Sequence, residues 1–460
     1  MGHGFQNTLM DTLARYKRLK GYDVLWQAGT DHAGIATQIV VERNLEKKGK
    51  SRESLGREEF EKEIWKWKEE SGSTITRQLR RLGASLDWKN EKFTMDKDFS
   101  MAVTEVFCSL YEEGLIYQGY RLVNWDSSLQ TALSDLEVVS TEESGKLWEI
   151  SYPVGKENLI ISTTRPETML GDVALAVNPK DEKYKKFIGK EALIPIISKK
   201  IPIIGDDYVD MDFGTGCLKI TPGHDFNDFE IGQKNNLDVL NILNKDGTLN
   251  ENCPEKYRNL SMQAARKEIL KDLKKLGNLV SEKDYKINIP KSERTGIILE
   301  PFLTKQWYLK SDEMAQKAKE IVQDKDVSFI PENWENTYFS WMNEIRDWCI
   351  SRQLWWGHRI PAWYDEEGKV YVGTSNDEVR KKNNLDDSVV LSQDDDVLDT
   401  WFSSQLWTFV TLGWPKKTER LKRFHPTSVL VTGFDIIFFW VARMIMITQK
   451  FLKEVPFKEV

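Results

Sequence analysis

Histidine and cysteine are scarce in this 460-residue chain, at five and four residues. The cysteines, Cys108, Cys217, Cys253 and Cys349, stand far apart and form no CxxC pair. That spacing supports neither a zinc knuckle nor a disulfide framework, and it fits a reducing, cytoplasmic setting. So few histidines also argue against a metal-dependent hydrolase, whose site draws ligands from several separate motifs. No basic-then-apolar pattern opens the chain, so no secretory signal is expected. The most apolar stretch, "SVLVTGFDIIFFWVARMIMI" (428–447), carries Asp435 and Arg443 in its interior. Lipid penalises such charges, so a strand, a turn and a buried helix are expected there, and no membrane partner. Internal repeats and low-complexity linkers are absent as well.

What the chain does have is 40% hydrophobic and 30% charged residues, enough for two or more domains with their own cores. Net charge is −7, so a nucleic-acid partner has to be met by local basic patches. "RYKRLK" (15–20) and Arg77, Arg80 and Arg81 are candidates, and each also reads as a solvated helix face. Phe5, Leu9, Leu13 and Tyr16 recur at helical spacing, and Gly21 ends that helix. "YDVLWQAGTDHAG" reads as a short buried strand running into a loop, and 55–90 and 96–118 read as helices. From about 147, β-branched runs divided by Gly, Pro and Asp mark a β-rich module, followed by a lysine-rich helix over 263–276. Trp334, Trp341, Trp348 and Trp355 fall seven apart and read as one interior-facing helix stripe. The simplest organisation is one α/β domain (1–145 and 286–460) split by an inserted β-rich domain (146–285).

Four stretches carry chemistry. "MGHGF" places Gly2 and His3 at a helix N-terminus, where free N–H groups and the dipole favour an anion, although a plain helix start looks the same. "GTDHAGIATQ" follows a strand, so Asp31 either pairs with an ammonium group or caps a turn. "LVTGFDIIFFW" repeats that layout: Gly433 permits close approach, and Asp435 either accepts from a ribose hydroxyl pair or caps a helix. "LKITPGHDFNDFEIG" (218–232) gathers a Lys, a Thr, a His and two Asp. By itself it reads as a metal site, a carboxylate pair, a substrate clamp or an inert acidic loop.

Six blocks resemble, in order and spacing, the valyl-tRNA synthetases of class I, over essentially the whole chain. They are "MGHGFQNTLMDTLARYKRLKGYDVLWQAGTDHAGIATQ", "TTRPETMLGDVALAVNP", "GTGCLKITPGHDFNDFEIG", "RDWCISRQLWWGHRIPAWY", "DVLDTWFSSQLWTF" and "VLVTGFDIIFFWVARM". The resemblance implies a Rossmann-type nucleotide-binding domain split by a β-rich editing domain. Such a domain makes valyl-adenylate from ATP and valine and passes valine to tRNA(Val). Gly2 and His3 match the ATP-contacting signature, Gly433 and Asp435 the ribose-contacting positions, and Asp31 the residue that binds the α-ammonium group. Trp356 and Trp401 match aromatic positions around the valine pocket, where an indole wall excludes water. ATP enters as a substrate with Mg2+. No zinc is expected, because the segment after "PAWY" reads "DEEGKVYVGTSNDE". A monomer is expected.

Two family elements are not matched. The first signature His and its strand would precede Met1, and the Lys-Met-Ser-Lys-Ser loop would follow Val460. Since that loop places positive charge on the transferring phosphates, this chain alone is expected to activate valine very poorly. An editing-only deacylase and a non-catalytic tRNA-binding fragment are the alternatives.

Threonine is nearly isosteric with valine, and valyl enzymes are themselves the standard illustration that an apolar pocket rejects an added hydroxyl by only about a hundredfold. A second pocket that tests for the hydroxyl is therefore implied. By residue match, Asp225 accepts the threonine hydroxyl and Asp228 the α-ammonium group. Arg165, Thr168, Lys219 and Thr221 hold the terminal adenosine of tRNA or the scissile ester, and Phe213 stacks on the adenine. With no Ser–His–Asp arrangement in evidence, attack by a positioned water is expected. A structural role for His224 is favoured over a catalytic one.

Overall fold

The computed structural model describes residues 2–460, which fall into two units: 2–118 with Trp307–Val460, and Gly119–Gln306. In the first unit, α1 (Gly2–Leu19) stops ahead of Gly21, whose φ of +82° is a left-handed turn. Its later half is anchored, since Arg18 donates to the Ser85 carbonyl at 3.0 Å and the Ser85 hydroxyl donates to Asp11 at 2.6 Å. β1 (Gln27–Thr30) pairs in parallel with β2 (Asp87–Phe93). A parallel pair needs a long crossover, which α2 (Gly34–Glu46) and α3 (Arg57–Arg81) supply.

The helix expected over 55–90 therefore ends early. Gly83, at φ +80°, breaks it, and the segment after it pairs with β1 instead. Likewise, the helix expected over 96–118 is α4 (Lys97–Glu112), broken by Gly114 at φ +71° before β3 (Ile116–Asp126).

The second unit is rich in strands. β4 (Val138–Val154) pairs with β5 (Glu157–Thr163), and on its other side with a long later strand, β10 (Leu279–Ser292). β6 (Ala174–Val177), β7 (Glu191–Leu193), β8 (Lys200–Gly205) and β9 (Cys217–Ile220) form a four-stranded sheet in the order β9-β6-β8-β7. β6 is fully buried, which explains its uninterrupted "ALAV". α5 (Phe226–Lys234) leaves this sheet directly after β9, and α6 (Met262–Leu276) is the lysine-rich helix. The unit contains the whole of 146–285 and runs on to 119 and 306, because β3, β4 and β10 are long and β11 (Glu300–Leu309) begins within it.

The first unit resumes with α7 (Asp312–Gln323) and α8 (Trp334–Asn343). Trp334 and Trp341 lie on α8, but Trp348 sits in a short strand and Trp355 in a loop, so the heptad spacing is not one helix stripe. Tertiary hydrogen bonding overrides the pattern, since the Trp348 indole donates to Asp399 at 3.2 Å. After α9 (Thr400–Ser404), the apolar 428–447 stretch is the expected strand, turn and helix: β12 (Thr427–Val429), a widened π turn over Ile437–Ala442 and α10 (Arg443–Leu452). β12 pairs in parallel with β13 (Phe457–Glu459), a second parallel crossover. Arg443 lies inside the protein with its guanidinium 3.5 Å over the Trp348 ring. Among the described residues, no helix is long and apolar enough to cross a membrane.

Close approach makes one glycine decisive for β1. A Cβ on Gly29 would overlap the Trp407 ring and the Lys92 carbonyl of β2. Gly29→Ala is expected to destabilise the first unit by about 1–3 kcal/mol or more through overpacking. A lowered midpoint of urea unfolding would show it, and an unchanged midpoint would contradict this packing.

Candidate functional site

In the second unit, a bonded cluster forms where β9 runs into α5. Its centre is Asp172, fully buried beyond the "TTRPET" turn. Asp172 accepts from the Tyr152 hydroxyl at 2.7 Å, the Thr221 hydroxyl at 2.6 Å and the Lys219 ammonium at 3.3 Å. Lys219 also donates to the Thr221 hydroxyl at 2.5 Å, so Thr221 is held between the two charges. Burial raises the Asp172 carboxyl, and the Lys219 charge pulls it back.

The two carboxylates of "HDFND" have different environments. Asp225 is exposed and caps α5, its Oδ1 accepting from the amides of Asn227 at 2.9 Å and Asp228 at 3.1 Å. Among the described residues, its other oxygen has no hydrogen-bond partner. Asp228 is 6% exposed, and its Oδ2 accepts from the Thr221 amide at 2.8 Å. Burial pushes its carboxyl well above the usual range; Lys219 opposes the shift and the Asp225 charge adds to it. The turn before them needs Gly223, where a Cβ would overlap the Leu240 carbonyl.

His224 is buried, with Nε2 accepting from the Ile242 amide at 2.9 Å. That bond requires a neutral ring, and burial beside Arg165 and Lys219 lowers its pKa to about 3. The imidazole pins the turn. Arg165 donates to the His224 carbonyl at 3.0 Å and to Glu300, and the Thr168 hydroxyl closes back on the Arg165 carbonyl at 3.0 Å. Phe213 is 61% exposed in the loop between β8 and β9, and no hydrogen bond or ring contact joins it to the cluster among the described residues.

The first unit holds a second constellation. Asp31 follows β1, accepts from the Ala33 amide at 2.6 Å and takes the hydroxyl of Ser404 from α9. Surrounding protein raises its carboxyl to about 6, although the residue keeps solvent contact. Trp401, also on α9, stacks on Phe439 at 5.4 Å, and the Trp440 indole donates to the Ser404 carbonyl at 2.9 Å. Asp399 caps α9, accepting from the Trp401 amide at 3.0 Å and from Arg352 at 2.5 Å. Trp356 is 2% exposed, donates to the His32 carbonyl at 2.8 Å and packs edge-on against Trp65. It backs the Asp31 loop from the core side. Gly433 and Asp435 lie exposed after β12, and Gly2 and His3 are exposed at the start of α1. Among the described residues, no hydrogen bond or ion pair links those two pairs, and no three His, Cys, Asp or Glu side chains gather to hold a metal.

The sequence model of the "tRNA synthetases class I (I, L, M and V)" matches residues 1–460. The chain belongs to that family. It is 59% identical over 462 residues to the valine–tRNA ligase of Legionella pneumophila and 58% identical to that of Francisella tularensis. Both alignments cover 100% of this chain and 50% of the relative, so the chain spans about half the length of these curated relatives. It also aligns over its whole length with the LeuRS–tRNA–LeuAMS ternary complex of Agrobacterium radiobacter K84, covering 61% of that chain. That likeness, at 17% identity and a TM-score of 0.48, is too slight to argue from. As a class I tRNA synthetase, the chain has a mixed α/β fold with several sheets.

Several residues of both constellations had no local sequence signal. Asp172 and Tyr152 meet only through the sheet, Glu300 lies 135 residues from Arg165, and Ser404 lies 373 from Asp31.

The raised Asp31 carboxyl yields a pH prediction. An ammonium ligand needs the ionised form, so affinity is full well above pH 6 and falls as pH drops through about 6. Calorimetric titration with a small primary-ammonium ligand should show this loss, and Asp31→Asn should bind it weakly at every pH. Affinity independent of pH would contradict the assignment.

Proposed function

We propose that this chain carries the amino-acid-activating and editing parts of a valine–tRNA ligase. In that reading the first unit is a Rossmann-type domain split by the second, a β-rich editing domain that hydrolyses threonyl-tRNA(Val). Its synthetic part joins valine to tRNA(Val) at the expense of ATP. The observation that carries the reading is the pairing of an exposed Asp225, one oxygen still unpartnered, with a buried Asp228 beside Lys219 and Thr221. The identity to valine–tRNA ligases supports it.

In editing, the open oxygen of Asp225 accepts the threonine hydroxyl. Valine offers a methyl there and leaves that oxygen desolvated without a partner, a cost of about 1–3 kcal/mol. Asp228 takes the α-ammonium group, whose charge draws its raised carboxyl back to the ionised form. Lys219 and Thr221 face the ester, Arg165 and Thr168 hold the terminal adenosine, and Phe213 offers its exposed ring to the adenine. Water attacks the ester carbonyl carbon, the bond to the ribose oxygen breaks, and that oxygen takes a proton. Threonine and free tRNA leave. His224, neutral and bound through Nε2, supports the loop rather than the proton transfer.

In the synthetic part, Asp31, held by Ser404, receives the ammonium group of valine, and Trp401 and Trp356 form and back the apolar pocket. Gly2, His3, Gly433 and Asp435 are the ATP contacts in this reading, and Mg2+ enters with the triphosphate. The protein acts as a cytoplasmic monomer without zinc.

Hydrolysis of threonyl-tRNA(Val) and valyl-tRNA(Val) by the folded chain tests the editing reading. Threonyl-tRNA should be cleared faster than in buffer, and valyl-tRNA spared. Asp225→Ala should reduce that discrimination by about tenfold to a hundredfold. Turnover no faster than buffer, or discrimination that survives Asp225→Ala, would overturn it.

A further inference from the structure

Arg165 of the second-unit site has one restraint from well outside the "TTRPET" and "HDFND" segments. Its guanidinium is ion-paired to Glu300, at the first residue of β11, and its Nε lies 3.8 Å from Glu167. Glu167 is engaged by Arg266 of α6 in a two-pronged pair, at 2.8 and 2.6 Å, the shorter on the same oxygen that faces Arg165. Both carboxylates are sequestered, Glu300 at 10% and Glu167 at 1% side-chain exposure, whereas Arg165 keeps 30%. The arrangement alternates Glu300, Arg165, Glu167 and Arg266, two charges of each sign, and opens to solvent chiefly at its two arginines. The planar guanidinium is held at Nη2 by Glu300 and at Nη1 by the His224 carbonyl, which fixes its direction, and each of those nitrogens carries a second N–H.

We propose that Glu300 is a positioning residue that aims the exposed N–H groups of Arg165 at the terminal nucleotide of tRNA, with Glu167 and Arg266 bracing it. The inference rests on the editing reading above and deepens it by adding a residue that no local motif marks. Burial raises the Glu300 carboxyl and the Arg165 charge opposes that shift, as expected of a carboxylate kept in place by its partner. The guanidinium that Glu300 holds also donates to the His224 carbonyl, so the start of β11 is tied through the arginine to that turn.

Glu300 does not touch substrate in this account, so its loss should act on binding and only through Arg165. Glu300→Gln keeps the shape and one acceptor but removes the charge. It is expected to raise KM for threonyl-tRNA about tenfold, with kcat changed less than about threefold. Glu300→Asp, which keeps the charge at shorter reach, should fall between the two. In an Arg165→Ala background, Glu300→Gln should add nothing. The proposal is overturned if Glu300→Gln has the unaltered KM, if its effect falls on kcat, or if the same loss persists without Arg165. Should Glu300→Gln fail to fold, as judged by circular dichroism, Glu300→Asp decides: an unaltered KM overturns the proposal and a raised one supports it. Should the unaltered chain show no turnover, the editing reading fails by itself. The positioning claim is then read from the affinity for a single-stranded RNA ending in adenosine. Glu300→Gln must weaken that affinity, and equal binding would overturn the claim.

Discussion

Asp172 is the fixed point of the second unit. A fully buried carboxylate is tolerable only when donors surround it, and here Tyr152, Thr221 and Lys219 all point at it. Removing a partner from such a buried charge costs about 3–5 kcal/mol, so the three donors are locked in return. That lock sets the Lys219 ammonium and the Thr221 hydroxyl, and the Thr221 amide in turn holds Asp228. Asp228 and Asp225 are joined through the cap of α5, which makes the carboxylate pair an extension of the same network. An acidic stretch that alone admits several readings thus becomes a shaped clamp, because its neighbours in space decide which oxygens remain available.

The first unit solves a parallel problem with different parts. Asp399 caps α9 and pairs with Arg352 inside the protein, and α9 then delivers Ser404 to Asp31 and Trp401 to Phe439. In both units the residue proposed to meet ligand is held by a buried charge that does not meet it. That division lets Asp225 keep an open oxygen, while both oxygens of Asp31 are held by the Ala33 amide and the Ser404 hydroxyl.

Much of this was legible in the sequence, and the boundary of legibility is physical. The strand before Asp31, the β-rich module, the lysine-rich helix and the fate of the apolar 428–447 stretch follow from periodicity, β-branching and the cost of interior charge. Helix ends were misplaced where a glycine at positive φ and a distant strand partner decided them, as at Gly83 and Gly114. The tryptophan heptad misled because Trp348 follows a hydrogen bond to Asp399 rather than a helix face. Within the candidate sites, motif residues were visible as types in a pattern. Their supports, Tyr152, Asp172, Glu300 and Ser404, were not, since sequence separation hides who touches whom.

The central claim is that Asp172 organises a hydrolytic site without itself meeting substrate. The most direct measurement is the rate of threonyl-tRNA hydrolysis by Asp172→Asn, with folding checked by circular dichroism. Asparagine keeps the shape and an acceptor but loses the charge that orients Lys219 and Thr221. The account predicts a folded protein whose hydrolysis falls by about a hundredfold, as displaced reacting groups do elsewhere. A folded Asp172→Asn protein that hydrolyses threonyl-tRNA at the unaltered rate would contradict it.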